Sequence, residues 1–251
     1  MKRIWLGLVI LLATCGCSPA DRCSWSLNAG QAVHVLFIGN SYTYANDLPA
    51  TFAKLACSAG RKVETAMSAE GGWKLSDHLA SSKTMDLIKQ QKWDWVVLQD
   101  QSEIPAVNDW RVQYMYPAAR QLVPAIRKNG SNPIFLLTWA HRDGLPAAGL
   151  STYHEMQTQL AVGYTSMAIE LHVPIAPVGT AWEKNLSHPK PLSLWSDDGS
   201  HPNEGGTYLA AAVLYASTFG QSPVGLSFDG GISADEASQL QSLAAETVLN
   251  K

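Results

Sequence analysis

The chain has no cluster of like charge. Its 18 Lys and Arg stand against 21 Asp and Glu, a formal net charge of −3 over 251 residues. Without a basic patch or stripe, no nucleic-acid partner is expected. Metal-ligand spacing is missing too, because "HEMQT" at His154–Thr158 lacks the second histidine of an H-E-x-x-H site. There are only four cysteines, and no internal repeat or low-complexity linker divides the chain. The N-terminal apolar run, Ile4 to Ala13, has about ten residues, too short to span a bilayer.

That run follows Lys2 and Arg3, so residues 1–20 read as an export signal. Two fates are open for it. Cys15 or Cys17 resembles a bacterial lipoprotein processing site, which would leave the chain attached to a membrane through lipid, whereas cleavage after Ala20 would release it. Either way the expected destination is the periplasm or cell envelope. Cys23 and Cys57 survive both kinds of processing, and a bridge between them suits an oxidising compartment. Residues 30–251 then make one domain, with 46% apolar residues to fill its core.

Five short apolar runs read as buried parallel strands: Val33–Ile38, Lys62–Met67, Trp93–Leu98, Pro133–Thr138 and Val173–Val178. Helical spacing lies between and after them. Leu48, Phe52, Leu55 and Ala56 recur on one helix, with Asp47 as its cap and Pro49 in its first turn. Trp110–Lys128, Tyr153–Leu171, Thr207–Phe219 and Ala234–Leu249 supply four more. The alternation implies an α/β fold with one parallel sheet covered on both faces. The least regular stretch, Ala181 to Asn203, is long enough to be functional.

Four segments carry the chemistry. "FIGNSYTY" places Ser41 where the first strand ends, the carboxyl edge at which open α/β sheets bind ligands. "DGSH" sets Asp198 three residues before His201, a spacing that lets a carboxylate orient an imidazole. "AEGGWKL" offers Gly71 and Gly72, where a backbone amide can approach a ligand closely. "VVLQDQSEIP" leaves the third strand through Gln99, Asp100 and Gln101. Taken singly, each of these is also an ordinary turn or polar loop.

In order, and each after its expected strand, the four resemble the blocks of the SGNH/GDSL hydrolase superfamily over about Val33 to Phe219. The resemblance implies a three-layer α/β/α sandwich of the flavodoxin-like type, with about five parallel strands. It also implies Ser41 as nucleophile, His201 as general base and Asp198 as its orienting acid. The oxyanion hole would be the amides of Ser41 and Gly72 with the side chain of Gln101. Two departures are visible: Gly39-Asn40-Ser41 replaces Gly-Asp-Ser, and Gln101 stands where the family has Asn. Thr43 occupies the second glycine position of a G-x-S-x-G elbow, which sets the chain apart from ordinary α/β-hydrolases.

Trp73, Trp139 and Trp195 lie near these segments; core and rim packing is the favoured reading, and a substrate platform of indole rings is the alternative. His78, His141 and His188 are not placed by the sequence. The expected activity is hydrolysis of carboxylic esters, foremost O-acetyl or other acyl groups on carbohydrates, through an acyl-serine and with no metal or organic cofactor. Lipid esters or thioesters are the rival substrates, and a glycan-binding envelope lipoprotein of weak activity is the rival class. The expected partner is an acylated small molecule or polysaccharide.

Overall fold

Five parallel strands form the centre of the molecule, whose computed structural model describes residues 31–249. The expected export signal, Cys15, Cys17 and Cys23 lie outside the described residues. In chain order the strands are β1 (Val33–Gly39), β2 (Val63–Ala69), β3 (Trp95–Leu98), β4 (Pro133–Leu136) and β5 (Ile175–Ala176). They lie side by side as β2-β1-β3-β4-β5, in parallel register throughout. Each falls on one of the five apolar runs. β5 is the most shortened, because Pro174 and Pro177 bound it and neither has an amide to donate.

Strand periodicity explains the layers. Val35 and Phe37 of β1 point into one apolar cluster, and Leu36 and Ile38 point into the other. Helices α1 (Ser41–Tyr44), α2 (Leu48–Ser58), α3 (Leu75–Ala80) and α4 (Ser82–Gln90) precede β3; α5 (Asn108–Trp110) and α6 (Tyr116–Lys128) follow it. The rest are α7 (Tyr153–Leu171), α8 (Val178–Leu186), α9 (Glu204–Phe219) and α10 (Ala234–Val248). α2, α8, α9 and α10 cover the Val35 face, while α3, α4, α6 and α7 cover the other. The result is a three-layer α/β/α sandwich.

Local chemistry sets the helix ends. Asp47 caps α2 by accepting from the Ala50 amide, with Pro49 in the first turn, as expected. Reciprocal Thr152–Glu155 and Ser233–Glu236 capping boxes start α7 and α10. Two expectations are corrected. The helix expected over Trp110–Lys128 is broken by a π-helical turn, Arg111–Met115, and the irregular stretch from Ala181 opens with most of α8. Cys57, in the last turn of α2, is disulfide-bonded.

The chain leaves β1 for β2 on one side and crosses to β3 on the other. The carboxyl ends of β1 and β3 therefore flank a crevice at the point where strand order reverses, and the segments after β1, β2 and β3 meet there.

Candidate active site

Ser41 opens α1 directly beyond β1. Gly39 is required at that corner, since a Cβ there would lie 2.3 Å from both Gln99 Oε1 and Thr43 Oγ1. The fully buried Gln99 carboxamide accepts from the Asn40 amide and the Thr43 hydroxyl, both at 2.9 Å, and its Nε2 donates to the Asp100 carbonyl. Asn40 Oδ1 accepts from the Tyr42 amide at 3.0 Å, while its Nδ2 donates to the Trp73 carbonyl at 3.1 Å. An aspartate could not make that last bond. The Asp-to-Asn departure thus ties the Ser41 turn to the Gly72 loop.

His78 braces the corner from beneath. The Gly39 carbonyl can only accept, so His78 Nε2 donates to it at 2.7 Å and Nδ1 accepts from Thr84 Oγ1 at 3.0 Å. Burial lowers the affinity of this imidazole for a second proton. His78 is structural.

The base reaches Ser41 from the loop before α9. His201 Nε2 lies 2.8 Å from Ser41 Oγ, and His201 Nδ1 lies 2.5 Å from Asp198 Oδ2. A carboxylate accepts, so Nδ1 carries the ring proton and Nε2 is left to take the serine proton. The other oxygen, Asp198 Oδ1, accepts from the Ser200 and His201 amides at 2.9 Å each. Desolvation acts upward on Asp198, but these amides and the imidazole outweigh it and hold the carboxyl at about 2. The D-x-x-H turn is closed by Ser196, whose amide donates to the His201 carbonyl at 2.8 Å.

The expected oxyanion donors lie on the segments that follow β2 and β3. Gly72 has φ +73, a left-handed conformation in which a side chain is strained. Gln101 Oε1 is fixed by the amides of Glu103 at 2.8 Å and Ile104 at 3.1 Å, which turns Nε2 the other way. That Nε2 has a single long contact, 3.3 Å to Ser102 Oγ, and so keeps a proton for a ligand. Gln101 lines one groove with Gly72, whereas Gln99 is sealed beneath the Ser41 turn. Of the two amides, Gln101 is the one that faces outward.

Searches with this chain give a consistent result in structure. No protein-family model matches it, and no curated protein does. A solved protein from Slackia heliotrinireducens, provisionally described as an SGNH hydrolase, is 28% identical, with a TM-score of 0.63, over 74% of this chain and 99% of that one. The chain has the fold of the SGNH/GDSL hydrolase superfamily. It is a serine hydrolase, and the Ser41–His201–Asp198 line supplies the groups such an enzyme needs. A DUF4886 family protein from Bacteroides uniformis shares the fold at TM-score 0.75 and 18% identity, covering 87% of this chain and 95% of its own. An acetylxylan esterase from Geobacillus stearothermophilus does so at 0.57 and 18%, covering 76% and 94%.

Of the three tryptophans that are candidates for a substrate platform, Trp139 and Trp195 are corrected to packing. Trp139 is 1% exposed and stacked between Tyr42 at 4.7 Å and Trp182 at 4.2 Å, so neither of its faces is free for a substrate. Trp195 is also buried, its Nε1 donating to the Ala140 carbonyl at 3.1 Å. Trp73 is half-buried and meets the edge of His78. Trp139 instead steadies the triad, since its Nε1 donates to the Ser200 carbonyl at 3.0 Å.

Two further residues stand at the site, neither of which the sequence gives a role. His141, after β4, places Nε2 3.3 Å from Ser102 Oγ, and burial lowers the ring's affinity for a second proton against the opposing pull of Glu103 and Asp198. Asp100 is fully buried, and one of its oxygens, Oδ1, accepts from the Leu75 amide at 3.0 Å and the Gln101 amide at 2.8 Å. It thus holds the segments bearing Gly72 and Gln101 together. Its other oxygen has no partner, and burial pushes the carboxyl up to about 7. His141 lies outside the four segments, and Asp100 lies within "VVLQDQSEIP" with no role that its spacing assigns. His188 is on the surface, bonded to Lys190, away from the site. His154, from the "HEMQT" segment, pairs with Glu183 at the surface, and among the described residues no group of three or more metal-ligating side chains gathers.

Proposed function

We propose that this protein is an exported esterase that removes acyl groups, foremost O-acetyl, from carbohydrates. The observation that carries the reading is the unbroken hydrogen-bonded line from Ser41 Oγ through His201 to Asp198. Ser41 Oγ attacks the ester carbonyl as its proton passes to His201 Nε2, and the ionised Asp198 stabilises the imidazolium. The amides of Ser41 and Gly72 and the Gln101 carboxamide receive the charge developing on the carbonyl oxygen. The imidazolium then protonates the departing alcohol, and a water activated by the same imidazole releases the acid from the acyl-serine.

A carbohydrate alcohol is supported by structural neighbours that act on acetylxylan and acetyl-xylooligosaccharides. Export rests on the N-terminal segment alone, read with the disulfide at Cys57. The intact triad argues against a pure binding protein, because that role does not need an imidazole in the base-ready tautomer. Acetate release from acetylated oligosaccharides, compared with p-nitrophenyl esters of increasing chain length, tests the reading. Preference for long acyl chains would replace it with a lipid esterase.

A further inference from the structure

A groove of about 390 Å³ includes Gly72 and Gln101 in its lining and extends past Lys74 and Glu103 to Trp110 and Tyr114. Trp110 is 36% exposed, one of the few large apolar side chains at the surface. Tyr114 is partly exposed, with Lys74 Nζ 5.6 Å from its ring centre.

The local backbone explains how these rings come to face the groove. The buried Arg111 guanidinium donates to the carbonyls of Pro105 and Gln159 at 3.2 Å, to Gln159 Oε1 at 3.3 Å and to Asn108 Oδ1 at 3.4 Å. Those bonds draw Arg111 inward against α7 and coincide with the π turn, closed by the Tyr116 amide donating to the Arg111 carbonyl. Trp110 and Tyr114, on either side of the anchored residue, line the groove. Single π turns recur at functional sites, and a buried arginine with four acceptors holds this one open.

The lining also selects the occupant. An acyl chain wants an unbroken apolar wall, and this wall is interrupted by Lys74, Glu103 and Gln101. A pyranose ring presents an apolar C–H face that stacks on indole or phenol, and a rim of hydroxyls that needs donors and acceptors alongside. Lys74 donates, and Glu103 accepts. We propose that Trp110 and Tyr114 form a glycan subsite, which holds a sugar unit of the substrate beside the oxyanion hole. This rests on the carbohydrate-esterase reading and adds to it the residues that choose the substrate.

The test compares Trp110→Ala and Tyr114→Ala with wild type on two substrates, a panel of partially acetylated xylo-, manno- and chito-oligosaccharides and p-nitrophenyl acetate. The ratio of kcat/KM for the best oligosaccharide to that for p-nitrophenyl acetate is expected to fall at least tenfold, through KM. Trp110→Phe, which keeps an aromatic face, should restore most of it. A ratio within twofold of wild type in both alanine variants would overturn the subsite and leave the esterase reading standing. Turnover of p-nitrophenyl acetate by wild type with none of any oligosaccharide would overturn the substrate class and the subsite with it. A loss confined to long-chain p-nitrophenyl esters would make the groove an acyl channel and refute the proposal.

Discussion

Replacing Asp100 by Asn should make the enzyme more stable in alkali than in acid, relative to wild type. The carboxyl ordinarily titrates at 3.8 and is pushed up to about 7 by complete burial. Unfolded, it loses its proton near pH 4; folded, it keeps the proton to about pH 7. Between those values the folded chain binds the extra proton, so stability falls as pH rises, and above about 7 the full cost is present. At about 1.4 kcal/mol per pH unit, that cost reaches roughly 4 kcal/mol, of which about 2.5 arises between pH 5 and pH 8. In the variant, Oδ1 can still accept from the Leu75 and Gln101 amides. The new amide nitrogen takes the place of Oδ2, which has no partner. That mismatch costs about 1–3 kcal/mol at every pH. Asp100→Asn should therefore be close to wild type at pH 5 and more stable by about 2 kcal/mol at pH 8. For a chain of this size the difference in Tm between the two proteins should widen by about 5–10 °C over that range. Thermal unfolding followed by circular dichroism at four pH values reads it directly. A Tm difference that stays constant from pH 5 to pH 8 would refute the reasoning.

Gln101→Ala should lower the acylation rate about a hundredfold with little change in KM, as loss of one oxyanion donor does. Normal acylation by Gln101→Ala in rapid-quench measurements would remove that role. Activity should decline on acidification because a protonated His201 cannot accept the Ser41 proton; Asp198 stays ionised down to about 2 and adds no limb above that. A pH profile that is flat while chemistry is rate-limiting would count against His201 as the base. Trp139→Ala should lose about 3–5 kcal/mol of stability, the usual cost of emptying a buried aromatic site. A well-folded Trp139→Ala with weakened substrate binding would return this residue to the platform.

Much of this architecture is legible in the sequence, and the gaps have physical reasons. The central strands β1, β3 and β4 are largely buried on both faces, so they read as apolar runs, and the rhythm of helices between the strands yields the parallel sheet. Ser41, Asp198 and His201 are visible because each stands in a short segment whose spacing is itself the chemistry. The sequence does not decide between packing and a platform for the tryptophans, because proximity to a motif says nothing about which way a ring faces. The indole of Trp139 turns into a buried stack with Tyr42 and Trp182, residues far from it in the chain. The π turn was invisible for a similar reason. Trp110–Lys128 has good helical periodicity, and what widens it is a buried arginine whose acceptors include residues of α7. Asp100 reads as one more acid in a polar loop. Only the fold shows that it is sealed from water and ties together the segments that bear Gly72 and Gln101.

The central claim is that Ser41 is a nucleophile activated by His201, and covalent labelling tests it most directly. A fluorophosphonate probe should add once per folded chain, on the peptide that contains Ser41. Ser41→Ala should not label, and His201→Ala should label far more slowly while keeping its fold. Label on a different serine, or a properly folded wild-type protein that does not react at all, would contradict the account.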